Sequence, residues 1–213
     1  MAVTTATVIE VTSHEIGLPY PTSRVELIAA VQEGFQAQYQ VFPDWGGAPP
    51  EGWLAPFAPT PFKDQGVTFM SAEHWMMHAK ARLFGDGDIA EKILRARTPM
   101  QAQALGRRAR GFSESVWKEH REAVMFNANL AKFSTIVSLR DYLVLSWPKI
   151  LVLASPNDIV WGSGLDLADP MLGSPRRWPG LNLGGFSLMR VCQHLRLGGE
   201  RCKAGRWSTF QLE

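Results

Sequence analysis

The sequence predicts a helix-dominated α+β fold in a single domain with one small β-sheet. Three observations carry this. A chain of 213 residues suits one hydrophobic core better than two. Capping residues followed by helical apolar spacing recur through its middle. A single short run, Ile150–Ala154, reads as a buried strand. The 46% hydrophobic and 20% charged shares are those of a soluble globular chain. Its longest apolar run falls well short of the ~18 residues of a bilayer span.

Taken in order, Thr7 to Val11 reads as a short strand. Ser23-Arg24-Val25-Glu26 is a capping box opening a helix with Val25, Ile28, Val31, Phe35 and Tyr39 on one side. From Phe42 to Pro61 the chain is rich in Pro, Gly and Trp, which predicts an ordered, aromatic-bearing loop. Val67 to Met70 is a brief strand, and Ser71 caps a helix to about Leu83, stopped by the Gly85-Asp86-Gly87 turn. Asp88 and Glu91 open a helix to about Arg97. Thr98-Pro99 and Gln101 open another to Arg110, which Gly111 ends. Ser113 starts a longer helix carrying Val116, Trp117, Val124, Leu130 and Phe133, and another runs from about Ser138 to Ser146. After the strand at 150–154, the stretch 162–185 reads as a loop and Phe186 to Arg196 as the last helix. The expected division is a strand-and-helix extension over 1–50, a core over 51–196 and a tail over 197–213.

Net charge is only +2, so no wide nucleic-acid surface is required. The N-terminus has no basic region ahead of an apolar one, so a cytoplasmic location is expected. The two cysteines, Cys192 and Cys202, exclude a disulfide framework and read as free thiols. His74 and His78 lie one helical turn apart, but the flanking residues do not match a zinc-protease motif, and no metal or other cofactor is expected.

Chemistry is expected where Ser71-Ala72-Glu73-His74-Trp75 and Ser155-Pro156-Asn157-Asp158-Ile159-Val160-Trp161-Gly162 come together. Each puts a carboxylate beside an indole at an element boundary, as an acidic, aromatic-walled pocket for breaking a bond to a sugar requires. Each carboxylate also has a plain structural role open to it. Glu73 favours the helix dipole, and Asp158 can close an Asx turn. Lys80 lies on nearly the same helix face as Glu73. Trp117 could be core or pocket wall. Arg107 and Arg108 end a helix, where cations offset terminal carbonyls. As a pair they could instead grip phosphate, with Arg121, Lys132 and Lys80 able to do the same. Asn182 and the glycines after it could add amides, Gly162 an unhindered backbone, and Trp75 and Trp161 aromatic walls. Read otherwise, Arg95, Arg97, Arg107, Arg108 and Arg110 could form a basic helical nucleic-acid face, although they look like a solvated helix pair.

In order, the chain carries Ser71, Glu73, His74, Trp75 and Lys80; Leu105 to Arg108; Trp117 and Arg121; Ala131-Lys132-Phe133; Ala154-Ser155-Pro156, Asp158 and Trp161-Gly162; and Trp178, Gly180, Asn182, Gly185 and Leu188-Met189. This succession resembles the NADAR, or YbiA-like, family over about Trp53 to Leu195. The resemblance implies the YbiA-like α+β fold and hydrolysis of an N-glycosidic bond between a phosphorylated ribose and a base. Known substrates of that family are ribosylaminopyrimidine phosphates of riboflavin biosynthesis and ADP-ribose on guanine of nucleic acid, the latter implying an ADP-ribosyltransferase as counterpart. By motif, the family's catalytic positions fall on Glu73, Trp117 and Asp158. The sequence departs from the family at Trp53-Leu54-Ala55-Pro56-Phe57, where a polar Asn is lost, and at Met76, Met77, Thr135, Ile136 and Cys192. The alternative reading is a non-catalytic ADP-ribose or nucleotide-binding module. A variant of the hydrolytic one has Lys80 attack the anomeric carbon as an amine.

Overall fold

The computed structural model describes residues 20–45 and 47–198. The expected strand at Thr7–Val11, the tail beyond Gly198 and Cys202 lie outside the described residues. Among those described are seven α-helices and two two-stranded sheets, a helix-rich α+β architecture. None of these helices is long and apolar enough to cross a membrane.

Helix α1 (Arg24–Gln32) starts where its capping box places it, with the Ser23 hydroxyl accepting the Glu26 N–H. It is shorter than expected. Gly34 takes the left-handed conformation that stops it (φ 101°), and Tyr39 belongs instead to strand β1 (Tyr39–Pro43). The apparent apolar face misled here, because Val25 stays 78% exposed while Leu27 and Ala30 are buried. Tyr39 to Phe42 find a better partner in the wholly buried β4 (Ile150–Ala154), with which β1 pairs in parallel, Tyr39 opposite Ile150 and Pro43 opposite Ala154. Tertiary pairing therefore overrides the loop-like composition of this stretch. A small antiparallel hairpin joins β2 (Phe62–Asp64) to β3 (Val67–Phe69).

Helix α2 (Ala72–Leu83) is capped by Ser71. Asp86, rather than Asp88, caps α3 (Gly87–Leu94). Asp86 also accepts the Arg110 N–H (2.9 Å) and guanidinium (2.8 and 3.1 Å), a fit the sequence did not reveal. Thr98 caps α4 (Pro99–Gly106), and Ser113 caps the long α5 (Glu114–Thr135). Helices α6 (Val137–Leu145) and α7 (Leu183–Arg196) complete the set.

Among the described residues two large apolar cores result, with a small third cluster of Phe62, Phe69 and Ala131 at the hairpin. One surrounds β1 and β4 with α6, α7 and the C-terminal half of α5, including Phe42, Phe133, Val152, Trp178 and Phe186. The other unites α2, α3, α4 and the N-terminal half of α5 around Met76, Ile93, Ala102 and Trp117. Trp161, in the loop that follows β4, packs against both. That loop thereby joins the two larger cores.

Candidate active site

Helix α2 begins under tight control. The Ser71 hydroxyl accepts the His74 N–H (3.1 Å), and the Pro56 carbonyl accepts the Glu73 N–H (3.0 Å). Glu73 is thus carried inward, 2% exposed, with Oε1 meeting no hydrogen-bond donor among the described residues. Taking a carboxyl out of water favours its neutral form, and a second negative charge nearby does the same. Burial first, and then the charge of Asp158, push the Glu73 carboxyl up to about 8. A hydrogen bond from Gln103 and the charges of Arg107 and Lys80 pull the other way. Two carboxylates 85 positions apart in the sequence therefore share one electrostatic site.

Asp158 is held by its own turn. Its Oδ1 accepts the N–H of Val160 (2.9 Å) and of Trp161 (2.8 Å), the Asx-type role its sequence setting allowed. Among the described residues, Oδ2 meets no donor. The backbone beneath is closed by Gly162, whose N–H donates to the Asp158 carbonyl (3.2 Å) and whose carbonyl accepts the Asn182 N–H (2.9 Å). A Cβ at Gly162 would lie 2.8 Å from the Ser155 Cβ and 2.9 Å from the Asp158 carbonyl, so the turn is too tight for a side chain.

Lys80, two turns along α2 from Glu73, places Nζ 4.3 Å from the ring centre of Phe112 and 5.3 Å from that of Trp117. Burial lowers its pKa, while Glu73 and Glu114 oppose that and Arg107 adds to it. Trp117 is 8% exposed and serves at once as core and as wall beside the Lys80 ammonium. Gln103 hydrogen-bonds the Glu73 carboxyl from α4, and Arg107, the exposed cap of that helix one turn on, acts on it through its charge. The closeness of α4 to α2 depends on Gly106, since a Cβ there would collide with Met77 Sδ on α2. Arg121, one turn beyond Trp117 on α5, is half-buried, and its Nε meets no acceptor among the described residues.

Other expected site residues do different work. Trp75 points away from Glu73, as residues two apart on a helix must, and its indole N–H donates to Asp64 on the hairpin (2.6 Å). Asn182, at a left-handed φ of 56°, is fully buried. Its amide oxygen accepts the Leu153 N–H and its NH₂ donates to the Leu151 carbonyl, both at 2.9 Å, so it clamps β4 rather than meeting substrate. Gly162 is likewise explained by packing. Arg108 is an exposed residue of the turn after α4. Lys132 is fully buried, donating to the carbonyls of Trp53 (2.6 Å) and Ala55 (3.1 Å), so it fastens a loop and cannot grip phosphate. Of the arginines proposed as a basic face, Arg95 pairs with Glu91, and Arg110 with Asp86 and Asp88.

His74 cannot serve as a free metal ligand. Its Nδ1 accepts the Met70 N–H (3.0 Å), which leaves the proton on Nε2 to donate to the Ile93 carbonyl (2.6 Å). Sequence reasoning missed Gln103 and Phe112. Gln103 was discoverable from its one-turn spacing to Arg107. Phe112 gave no periodic signal because it lies in the turn before α5. A hollow of about 470 Å³ bounded by Ile28, Val31, Gln32 and residues 173–177 includes none of the candidate residues.

With this geometry in place, residues 42–196 match the NADAR domain, and the chain belongs to that family. It is 37% identical over 128 residues to N-glycosidase R617 of Acanthamoeba polyphaga mimivirus, spanning 60% of this chain and 75% of that protein. Its identity to protein irg-1 of Caenorhabditis elegans is 38% over 135 residues, 62% of this chain and 64% of that protein. N-glycosidase YbiA of Escherichia coli is 34% identical over 113 residues, 53% of this chain and 69% of that protein. The NMR structure of E. coli YbiA superposes with a TM-score of 0.59 at 27% identity, covering 80% of this chain and 94% of that one.

Proposed function

We propose that this chain is a hydrolase of N-glycosyl bonds that separates a phosphorylated ribose from a nitrogenous base. Its substrate is ADP-ribose joined to guanine of nucleic acid or a ribosylaminopyrimidine phosphate. With the nucleic-acid substrate, an ADP-ribosyltransferase is its functional counterpart. The observation that carries the reading is the buried Glu73 carboxyl, kept protonated near neutral pH beside Asp158. Two carboxyl groups with environments this different divide naturally into acid and carboxylate.

Glu73 donates its proton to the departing base as the bond between the anomeric carbon and nitrogen breaks, and the bonding electron pair leaves with the base. Positive charge develops at the anomeric carbon, where Asp158 stabilises it and orients water. Water then adds to that carbon and gives a proton to the Asp158 carboxylate, from which Glu73 is recharged. Trp117 and Trp161 exclude solvent, while Arg107 and the Arg121 Nε offer donors to phosphate. The Lys80 amine has the lowered pKa that nucleophilic attack requires, but its two aromatic contacts favour the ammonium. A borohydride-trapped adduct on Lys80 contradicts the carboxylate route.

The test is incubation with an ADP-ribosylated guanine oligonucleotide and with ribosylaminopyrimidine phosphate, following release of base. Release that disappears in both Glu73→Gln and Asp158→Asn supports hydrolysis. Tight binding with no release from any ribosyl substrate makes the chain a binding module instead.

A further inference from the structure

Trp45 and Phe57 fall outside the machinery just described, and no structural role accounts for them fully. Trp45 is 68% exposed, an uncommon condition for the largest apolar side chain. Its ring centre lies 5.5 Å from that of Phe57, with the planes at 45°. Chain connections tie this pair to both carboxylates. Phe57 directly follows Pro56, whose carbonyl takes the Glu73 N–H (3.0 Å). Trp45 directly follows Asp44, whose Oδ2 accepts the Ser155 hydroxyl (2.5 Å) at the start of the loop carrying Asp158. Because β1 and β4 run in parallel, both loops leave the same edge of the sheet, the edge at which parallel strands present ligand sites.

From this we infer that Trp45 and Phe57 form a stacking platform for a second nucleobase, one carried by the substrate in addition to the base that leaves. This inference rests on the proposed function and narrows it. An aromatic face is sequence-tolerant because every base presents a π-face to stack on it. A substrate built on ADP-ribose or on nucleic acid offers such a base, whereas a ribosylaminopyrimidine phosphate does not. The platform therefore favours the nucleotide-bearing class. Its occupant is either the adenine of ADP-ribose or a base neighbouring the modified one, which share the same flat π-face.

The test is calorimetric titration of the full chain with ADP-ribose, with ribose 5-phosphate and with a short single-stranded guanine-containing oligonucleotide. It compares wild type with Trp45→Ala, Phe57→Ala and Trp45→Phe. Trp45→Ala is expected to weaken ADP-ribose or oligonucleotide binding about ten- to a hundredfold. Ribose 5-phosphate binding stays unchanged, and Trp45→Phe recovers most of the loss. A loss confined to ADP-ribose assigns the platform to adenine, and one confined to the oligonucleotide assigns it to a neighbouring base. Unchanged affinity for both ligands, or an equal loss for ribose 5-phosphate, overturns the platform. These titrations need no turnover, so base-dependent binding without base release would refute hydrolysis and leave the platform standing.

Discussion

At the scale of single residues, the site works by giving two carboxyl groups opposite surroundings. Glu73 is buried, with one oxygen that meets no donor among the described residues, while Asp158 sits at a turn with two amides on one oxygen. The arrangement has a stability consequence. Between its unfolded value of 4.5 and its folded value of about 8, the native chain holds a proton on Glu73 that the unfolded chain has released. Folding stability from this group therefore falls as pH rises through that window and is level above it. Glu73→Gln is predicted to abolish base release by at least about a hundredfold. The same variant should melt higher than wild type at pH 8, with the difference fading toward pH 4, as thermal melts across pH will show. Because the proton on Glu73 is the one delivered to the base, kcat/KM should decline as pH rises through about 8.

At the scale of elements, site geometry depends on how closely helices and strands approach one another. Gly106 lets α4 press on Met77 and so carries Gln103 and Arg107 to Glu73. Gly106→Ala should cost about 1–3 kcal/mol of stability through overpacking and lower kcat as α4 is levered away. Denaturant unfolding and steady-state rates check both. Asn182→Ala removes partners from two buried backbone groups of β4, at about 1–3 kcal/mol each. It should lower the melting temperature steeply.

Most elements were legible because their caps act locally. Ser23, Ser71, Thr98 and Ser113 each accept an N–H from the first turn of the helix they precede. Strand β1 was not legible, since its only reason to extend is β4, more than a hundred residues away. Asp86 was missed as a cap because Asp88 and Glu91 offered a capping box two residues on, while the Arg110 contacts that fix Asp86 come from 24 residues away.

At the scale of the molecule, the two larger apolar cores meet at Trp161, in the loop that carries Asp158. The pairing of Glu73 with Asp158 was legible as residue types at element boundaries, and so was the company of Lys80, Trp117 and Arg107. The structural duties of Asn182, Gly162 and Trp75 were not, because a motif records which residues recur and not which atoms they touch. Buried charge also shapes the whole stability profile. Lys132, pulled by burial from 10.5 to about 7, loses its proton earlier in the folded chain than in the unfolded one. Its contribution therefore rises with pH between about 7 and 10.5, opposite in sign to that of Glu73. Lys132→Met should remove the alkaline rise and Glu73→Gln the fall below it, each read from melting temperature against pH.

The central claim is that Glu73 and Asp158 act on each other within one site. It is tested most directly by following the Glu73 carboxyl carbon by ¹³C NMR against pH, in wild type and in Asp158→Asn. A titration near 8 that moves clearly downward when Asp158 loses its charge is the predicted result. A titration in the ordinary carboxylate range, or one indifferent to Asp158→Asn, contradicts it.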